Sequence, residues 1–421
     1  MPSDTNRMAY LESRKEMNYH MILMEIIGCG LDALAVFRSL QSDPVICALM
    51  NLCHTEKKDF HGQVRYYGEM VSALYEKTDC LTDYVENLVL EHEQICAVRQ
   101  GAGEQIPEAM AECLDTELGL FEIIATLTPE LIQAEMERTV PLPEWKTRPI
   151  NLIEVYNKRM ESISSCGYGI FAKYHMFTVD ENGEIVPVAH PDPISLSDMV
   201  GYERERKTAE DNVKALLSGN YAANVLLSGD AGTGKSATVK AIANKYSEKG
   251  LRLIELTKNQ LCFIPKIMDR LCNNPLKFIL FIDDLTFSEK EPDFGTLKAM
   301  LEGSIAARMK NTVIYATSNR RHIVKETFDD GRDKHENDTV QERISLSERF
   351  GITITFQRPQ KKLYLEIVHE LARQAGLQMD ESKLDSAAEQ FALCKSGRSS
   401  RAARQLIDQL LVEQNKERLD D

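Results

Sequence analysis

The chain has 421 residues, enough for two or three domains with their own cores. Its 43% hydrophobic and 27% charged residues are those of an ordinary globular protein. The balance of 50 basic to 65 acidic residues, −15 in all, disfavours a constitutive nucleic-acid coat while leaving room for a local basic channel. The ten cysteines include no C-x-x-C pair, so zinc-site spacing is absent and free thiols in a reducing cytosol are expected. The apolar stretch near Met21 is broken by Glu25 and Asp32. No uncharged run reaches the roughly 18 residues a bilayer requires. A cytoplasmic protein without a membrane association is the expectation.

Residues 1–175 carry helical periodicity and no catalytic motif. Leu81, Tyr84, Val85, Leu88 and Ile95 share one helical face, which predicts a helix over 81–95. Thr128-Pro129-Glu130 reads as an N-cap, a first-turn proline and an early acid, opening a helix through 131–138. Pro141 and Pro143 interrupt before a further helix at 151–162. This stretch is assigned as an all-α N-terminal domain, 1–175, of the kind that binds partners or drives assembly. Residues 176–179 and 184–188 alternate around Asp180-Glu181-Asn182-Gly183, as a hairpin does. Pro187, Pro191 and Pro193 stiffen the chain beyond it, so 176–195 is read as hairpin and linker.

Beyond residue 195 strands and helices alternate, which implies a parallel sheet with covering helices. Strands are predicted at 224–228, 251–256, 277–282, 312–317 and 352–356. Three helical patterns, 361–375, 382–394 and 399–413, then close the chain. Gly229-Asp230-Ala231-Gly232-Thr233-Gly234-Lys235-Ser236 fits G-x-x-x-x-G-K-[ST] between the first of these strands and a helical run. Such a turn forms a nest of backbone N–H groups at a helix N-terminus, and this is a polyphosphate cradle. Its lysine reaches the β- and γ-phosphates, and its hydroxyl ligates Mg²⁺. Lys235 is expected to stand partly exposed and to anchor no core. A nucleoside triphosphate is therefore the predicted ligand.

Phe278-Ile279-Leu280-Phe281-Ile282 is apolar throughout, as a strand buried on both faces must be, and it ends in Asp283-Asp284. Carboxylates at the C-terminal end of a central strand lie beside the phosphate loop. Asp283 is expected to hold Mg²⁺ with Ser236, and Asp284 to orient or deprotonate the attacking water.

These stations together resemble an AAA+ ATPase over roughly residues 196–413. The resemblance implies an α/β fold with a parallel five-stranded sheet over 196–358 and a C-terminal helical lid over 359–421, preceded by the all-α domain. Leu196-Ser197-Asp198-Met199-Val200-Gly201-Tyr202-Glu203 resembles the segment that packs near adenine, which implies Tyr202 beside the base. Thr317-Ser318-Asn319 resembles the sensor-1 tip, which implies Asn319 at the γ-phosphate or attacking water. Ser345-Leu346-Ser347-Glu348-Arg349-Phe350-Gly351 resembles the arginine-finger box, which implies Arg349. Gly397-Arg398-Ser399-Ser400-Arg401 resembles the sensor-2 helix, which implies Arg401, with Arg398 and Arg404 as alternatives. More narrowly, the chain is similar to an uncharacterised bacterial family of AAA+ ATP-binding proteins with a helical N-terminal region.

Two departures from the superfamily pattern matter. Asp283-Asp284 replaces the usual Asp-Glu pair, as in many replication initiators and helicase loaders, and the shorter Asp284 implies either slow catalysis or a rearranged water. Residues 257–263 lack the aromatic–hydrophobic–glycine pore loop of protein-threading machines. The charged stretch 328–342 reads as a solvated loop, with a regulatory insertion as the alternative, and Arg320-Arg321-His322 reads as a surface loop, with contact to phosphate or nucleic acid as the alternative. The resemblance implies ATP and Mg²⁺ as cofactors, a homo-oligomer of hexameric type, and an unidentified protein or nucleic-acid partner that is remodelled or loaded. An assembly switch or scaffold with little hydrolysis, and a DNA-associated loader, are the alternatives.

Overall fold

The computed structural model describes residues 23–136, 140–285, 301, 309–319, 349–395 and 397–420. The stretch 328–342, Arg320-Arg321-His322 and Ser345 to Glu348 of the arginine box lie outside the described residues. The chain divides into two units, Met1–Lys173 and Tyr174–Asp421. Among the described residues, no helix is long and apolar enough to cross a membrane.

The first unit is helical: α1 (23–32), α2 (Pro44–His54), α3 (Phe60–Tyr75), α4 (Leu81–Leu90), α5 (Ile95–Gly101), α6 (Glu108–Ala125), α7 (Pro129–Gln133), α8 (Leu152–Glu161) and the single turns α9 (Ile163–Cys166) and α10 (Ile170–Lys173). Asp43, Asp59 and Asn151 cap α2, α3 and α8 by accepting from first-turn N–H groups. The predicted helix over 81–95 is two helices. The Gln94 side chain accepts from Cys96 N–H and starts α5, while the Glu91 carbonyl is taken by Gly169 N–H. Ile95 thus opens α5 at 45% exposure, and the buried stripe of α4 is Leu81, Val85 and Val89. Thr128 caps α7 as expected, but that helix ends at Gln133 rather than continuing through 138.

Glu117 of α6 is buried in this unit. Its carboxylate accepts from the N–H groups of Ala35, Val36 and Phe37 at 2.6, 3.0 and 2.8 Å. Nothing in the sequence distinguishes it from the surface acids of the same helix.

The second unit contains β1 (Met176–Val179), β2 (Ile185–Pro187), α11 (Glu203–Leu217), β3 (Val225–Gly229), α12 (Lys235–Tyr246), β4 (Leu251–Leu256), α13 (Ile264–Leu271), β5 (Lys277–Ile282), β6 (Thr312–Ser318) and β7 (Ile352–Phe356). Then come α14 (Lys361–Ala375), α15 (Glu381–Cys394) and α16 (Ser400–Asp420). The sheet order is β2-β1-β4-β5-β6-β3-β7. β3 to β7 are the five parallel strands expected. The sheet has seven strands because β1 pairs parallel with β4 and carries β2 antiparallel at the edge. The expected hairpin is therefore present, and it forms an edge of the sheet. Asp180 Oδ1 accepts from Asn182 and Glu184 N–H and shapes the turn, and Gln260 Nε2 donates to the Val179 carbonyl.

Alternate residues of the central strands, among them Val225, Leu227, Ile279, Phe281, Val313 and Tyr315, pack with Val213 of α11 and Val239 and Ile242 of α12. Asn212 locks α11 to the sheet through Ala223 N–H, the Ala223 carbonyl and Tyr315 Oη. The three last helices have their own small core of Tyr364, Ile367, Val368, Leu384, Ala403 and Leu406. Gly376 in left-handed conformation ends α14, and Asp380 caps α15.

Glu117→Ala leaves the buried N–H groups of Val36 and Phe37 and the part-buried one of Ala35 without an acceptor and should destabilise the first unit by about 3 kcal/mol or more. Trp145, the single tryptophan, is 6% exposed in that unit and reports its urea transition in the full chain. An unmoved midpoint would show that water replaces the carboxylate.

Candidate functional site

The C-terminal end of β3 runs into a turn that only glycine can follow. Gly229, Gly232 and Gly234 have φ of +131°, +76° and +95°. A Cβ on Gly229 would lie 2.0 Å from the Phe356 carbonyl oxygen, so β3 and β7 close on each other there. At Gly232 a Cβ would lie 3.0 Å from Arg401 Cβ, and Arg401 N–H donates to the Gly232 carbonyl at 3.2 Å. α12 then starts at Lys235 with no side-chain cap, so its first N–H groups face the turn without a side-chain acceptor. Thr233 Oγ1 donates back to the Asp230 carbonyl at 2.9 Å and tightens the loop.

Lys235 differs from its expected exposure. It is 5% exposed, and Nζ donates to the carbonyls of Gly229 (2.9 Å) and Asp230 (2.8 Å) and to Asn319 Oδ1 (3.0 Å). Burial pushes its pKa below the ordinary lysine value. The carboxylates of Asp230, Asp283 and Asp284 oppose that shift, and Arg401 adds to it. The lysine is shielded from water because the loop folds its own oxygens around the ammonium.

The acidic pair follows β5. Asp283 Oδ1 accepts from Ser236 Oγ at 2.6 Å and from Thr317 Oγ1 at 2.5 Å. Asp284 adopts φ +54°. Its N–H donates to Thr317 Oγ1 at 2.9 Å, and its carboxylate accepts from Asn319 Nδ2 at 2.8 Å. The Ser236 and Asp283 oxygens are adjacent hard donors of the kind Mg²⁺ accepts. Among the described residues no cluster of three His, Cys, Asp or Glu offers a complete cage. Two hard protein oxygens suit an ion such as Mg²⁺ that keeps much of its own water, and Ser236 and Asp283 are the residues that would hold it.

A cavity of about 570 Å³ opens over these groups. Ala231, Gly232, Thr233, Gly234, Lys235, Ser236, Asp283, Asp284 and Asn319 line it, and Met199, Val200, Phe356, Ile367 and Leu371 supply apolar lining. Met199 lies against the loop, its Cε 3.3 Å from where a Cβ on Gly234 would stand. Tyr202 also lines the cavity. Its φ is +57°, its ring centroid is 5.2 Å from that of Phe356, and its hydroxyl donates to the Gln357 carbonyl at 2.6 Å. Burial, then Glu205 and Asp230, push this hydroxyl up to about 12, so it stays a donor. Among the described residues, Tyr202 and Asp284 are the two non-glycines with positive φ, and both face this cavity.

Arg401 and Arg404 reach the cavity from α16, whereas Arg398 makes a paired contact with Glu389 at 2.9 and 2.7 Å. Gly229 and Asp230 lie on the far side of the loop, in a smaller polar recess shared with Asn319 and Arg358. Arg349 is not brought to the cavity. It precedes β7, where Ile352 pairs with Val225 and Phe356 with Gly229, so it lies toward the sheet end opposite the phosphate loop. Sequence reasoning placed Met199 in the adenine-side segment but missed Ile367 and Leu371, whose apolar character matches any core residue. It also passed over Thr317 in favour of Asn319, although a threonine ending an apolar strand was a usable signal.

A phosphate-loop strand flanked by β6 and β7, acids at the tip of β5, and a three-helix lid closing on the loop define a protein of the AAA+ class. The chain belongs to the family described as "Protein of unknown function (DUF815)", which it matches over residues 172–414. No curated protein matches it. Among solved structures it is similar to the Thermotoga maritima RuvB Holliday junction branch migration motor, at 18% identity and a TM-score of 0.36, over 51% of this chain and 63% of that one. Two mutants of that protein match at 18% and 19% identity, with TM-scores of 0.37 and 0.36, over 51% of this chain and 64% and 63% of theirs. The chain thus spans less than two thirds of those structures.

Gly229→Ala drives a methyl into the Phe356 carbonyl and should destabilise the second unit by several kcal/mol, on the order of 3 or more. Gly219→Ala, also at positive φ but with open space around it, isolates the backbone penalty of about 1 kcal/mol. Equal melting temperatures for the two variants would contradict the close approach.

Proposed function

We propose that the chain is a Mg²⁺-dependent ATPase that couples its nucleotide state to the remodelling or loading of a macromolecular partner. One observation supports this above all. A glycine nest, a lysine, a Ser–Asp oxygen pair, a second carboxylate with an amide beside it, and two lid arginines converge on one cavity that apolar side chains also line. That combination suits the triphosphate and the purine of one nucleotide.

On this reading the loop N–H groups bind phosphate oxygens, and Lys235 exchanges its present acceptors for the β- and γ-phosphates. Ser236 and Asp283 hold the metal. When bound, Mg²⁺ neutralises charge on the β- and γ-phosphate oxygens. Asp284 and Asn319 orient a water whose oxygen attacks the γ-phosphorus as the bond to the β–γ bridging oxygen breaks. The proton passes to Asp284 and then to the released phosphate. Arg401, with Arg404 one turn on, contacts the phosphates from the lid, and Tyr202 braces the base end.

Lys235→Ala should weaken binding of a fluorescent ATP analogue at least tenfold, an effect of about 1.4 kcal/mol or more. Asp284→Asn should bind within about twofold of the parent and lose most turnover, on the order of a hundredfold. Unchanged affinity in a folded Lys235→Ala protein would overturn the nucleotide assignment. Parental turnover in Asp284→Asn would reduce the acid to a turn residue.

Arg349 bears on assembly. About 13 Å of β7 separates Ile352 from Phe356, and Arg349 lies beyond the far end, so its proposed partner is a neighbouring subunit's γ-phosphate. Head-to-tail contacts of that kind close into rings, of which a hexamer is the form proposed. An arginine supplied in trans contributes about 10³–10⁵ in rate. Mixing Arg349→Ala with Lys235→Ala protein should restore part of the activity each lacks. Absence of recovery, with subunit exchange verified by labelled protein, would place Arg349 in a structural role.

A further inference from the structure

We propose that Thr317 is a positioning residue that holds both acids of the site in their working geometry; the proposal rests on the nucleotide-binding reading above. Thr317 is 2% exposed, next to last in β6, and follows the apolar run Val313-Ile314-Tyr315-Ala316. The β5–β6 ladder ends at Ile282 and Ala316. Beyond that pair, Thr317 alone grips three consecutive residues. Its hydroxyl donates to Asp283 Oδ1, its oxygen accepts Asp284 N–H, and its carbonyl accepts Leu285 N–H at 2.7 Å.

The polarity of this clamp is fixed by chemistry. A hydroxyl has one proton and two lone pairs. Asp284 N–H can only donate, so the threonine proton must go to the Asp283 carboxylate. Asp283 Oδ1 therefore receives two O–H donors, from Ser236 and Thr317. If Ser236 turns its oxygen to a metal ion, Thr317 is the donor that still orients Asp283. Outer partners of this kind set ligand orientation and are worth about 10–100-fold in metal affinity. For Asp284, the same oxygen secures the N–H of a left-handed residue, a conformation that costs about 1–2 kcal/mol and persists only when neighbours enforce it.

Thr317→Val keeps the shape and removes both the proton and the lone pairs. Thr317→Ser and Thr317→Ala both lose the methyl, and only serine retains the hydroxyl. Binding of a fluorescent ATP analogue is titrated for each variant in EDTA and in Mg²⁺. The expected result is EDTA affinity within about twofold of the parent for all three, because the loop N–H groups are untouched. The increment given by Mg²⁺ should fall about tenfold in the valine and alanine proteins and return in the serine protein. The Mg²⁺ concentration for half-maximal turnover should rise in parallel. A valine protein with the parental Mg²⁺ increment, or a serine protein as impaired as alanine, would overturn the proposal. If valine does not fold, the serine–alanine pair decides alone. Failure of the parent protein to bind the analogue in either buffer would sink the nucleotide reading and this proposal with it, whereas parental binding with an unaffected valine protein would remove only Thr317.

Discussion

A buried ammonium organises the site. Taking a charge out of water costs several kcal/mol unless oxygens replace its hydration. Lys235 finds them in two loop carbonyls and the amide of Asn319. Because Asn319 must turn its oxygen to the lysine, its Nδ2 is left facing Asp284. The carboxylate of Asp284 is then fixed, and its backbone settles in the left-handed region with Thr317 on its N–H. One charge thus sets side-chain orientations at the ends of three strands, β3, β5 and β6. Its own pKa is lowered by burial in spite of three nearby carboxylates, so the pocket holds the lysine without fully compensating it.

The lid is joined to this centre by weaker means. Arg401 N–H to the Gly232 carbonyl is one hydrogen bond, worth about 1 kcal/mol net. Ile367 and Leu371 face the cavity from α14 while also belonging to the lid's separate small core. Val200 also packs on the lid's core, and Gln374 Nε2 donates to the Asp198 carbonyl at 3.4 Å. On the proposed reading, phosphates drawn to Arg401 and Arg404 supply more differential binding than the bond they displace, and that difference is what shifts a two-state equilibrium.

The second unit is legible in the sequence because its signals are local and redundant. The β4, β5 and β7 spans agree with prediction residue for residue: β5 reads as an apolar run buried on both faces, β7 alternates as an edge strand, and β4 keeps an apolar majority around Arg252 and Glu255. The hairpin is readable, but its place is not: pairing of Met176 and Phe177 with Leu253 and Ile254 is a long-range choice that short alternating strands do not encode. In the first unit the apolar stripe over 81–95 runs across a helix boundary, because Gln94 caps a new helix and caps are read less surely than stripes. At the site, residues of fixed spacing are readable, whereas Lys235's burial depends on carbonyl directions that no motif expresses. Arg398, Arg401 and Arg404 are equivalent in sequence. Glu389 separates them in space by engaging Arg398 and leaving the other two on the cavity.

The identity of the second acid arises from the same geometry. Residue 284 sits at φ +54°, where aspartate and asparagine are enriched over longer side chains because a short polar group can bond to nearby partners. A glutamate there would keep the backbone strain and carry its carboxylate one carbon beyond the Asn319 amide that now meets it. The Asp-Asp pair is therefore matched to the Thr317 clamp and to Asn319 as a set. Changing Asp284 alone to the longer acid would lengthen its reach toward a water while loosening the contact that aims it. On the proposed reading, a shorter, better-anchored acid trades reach for position.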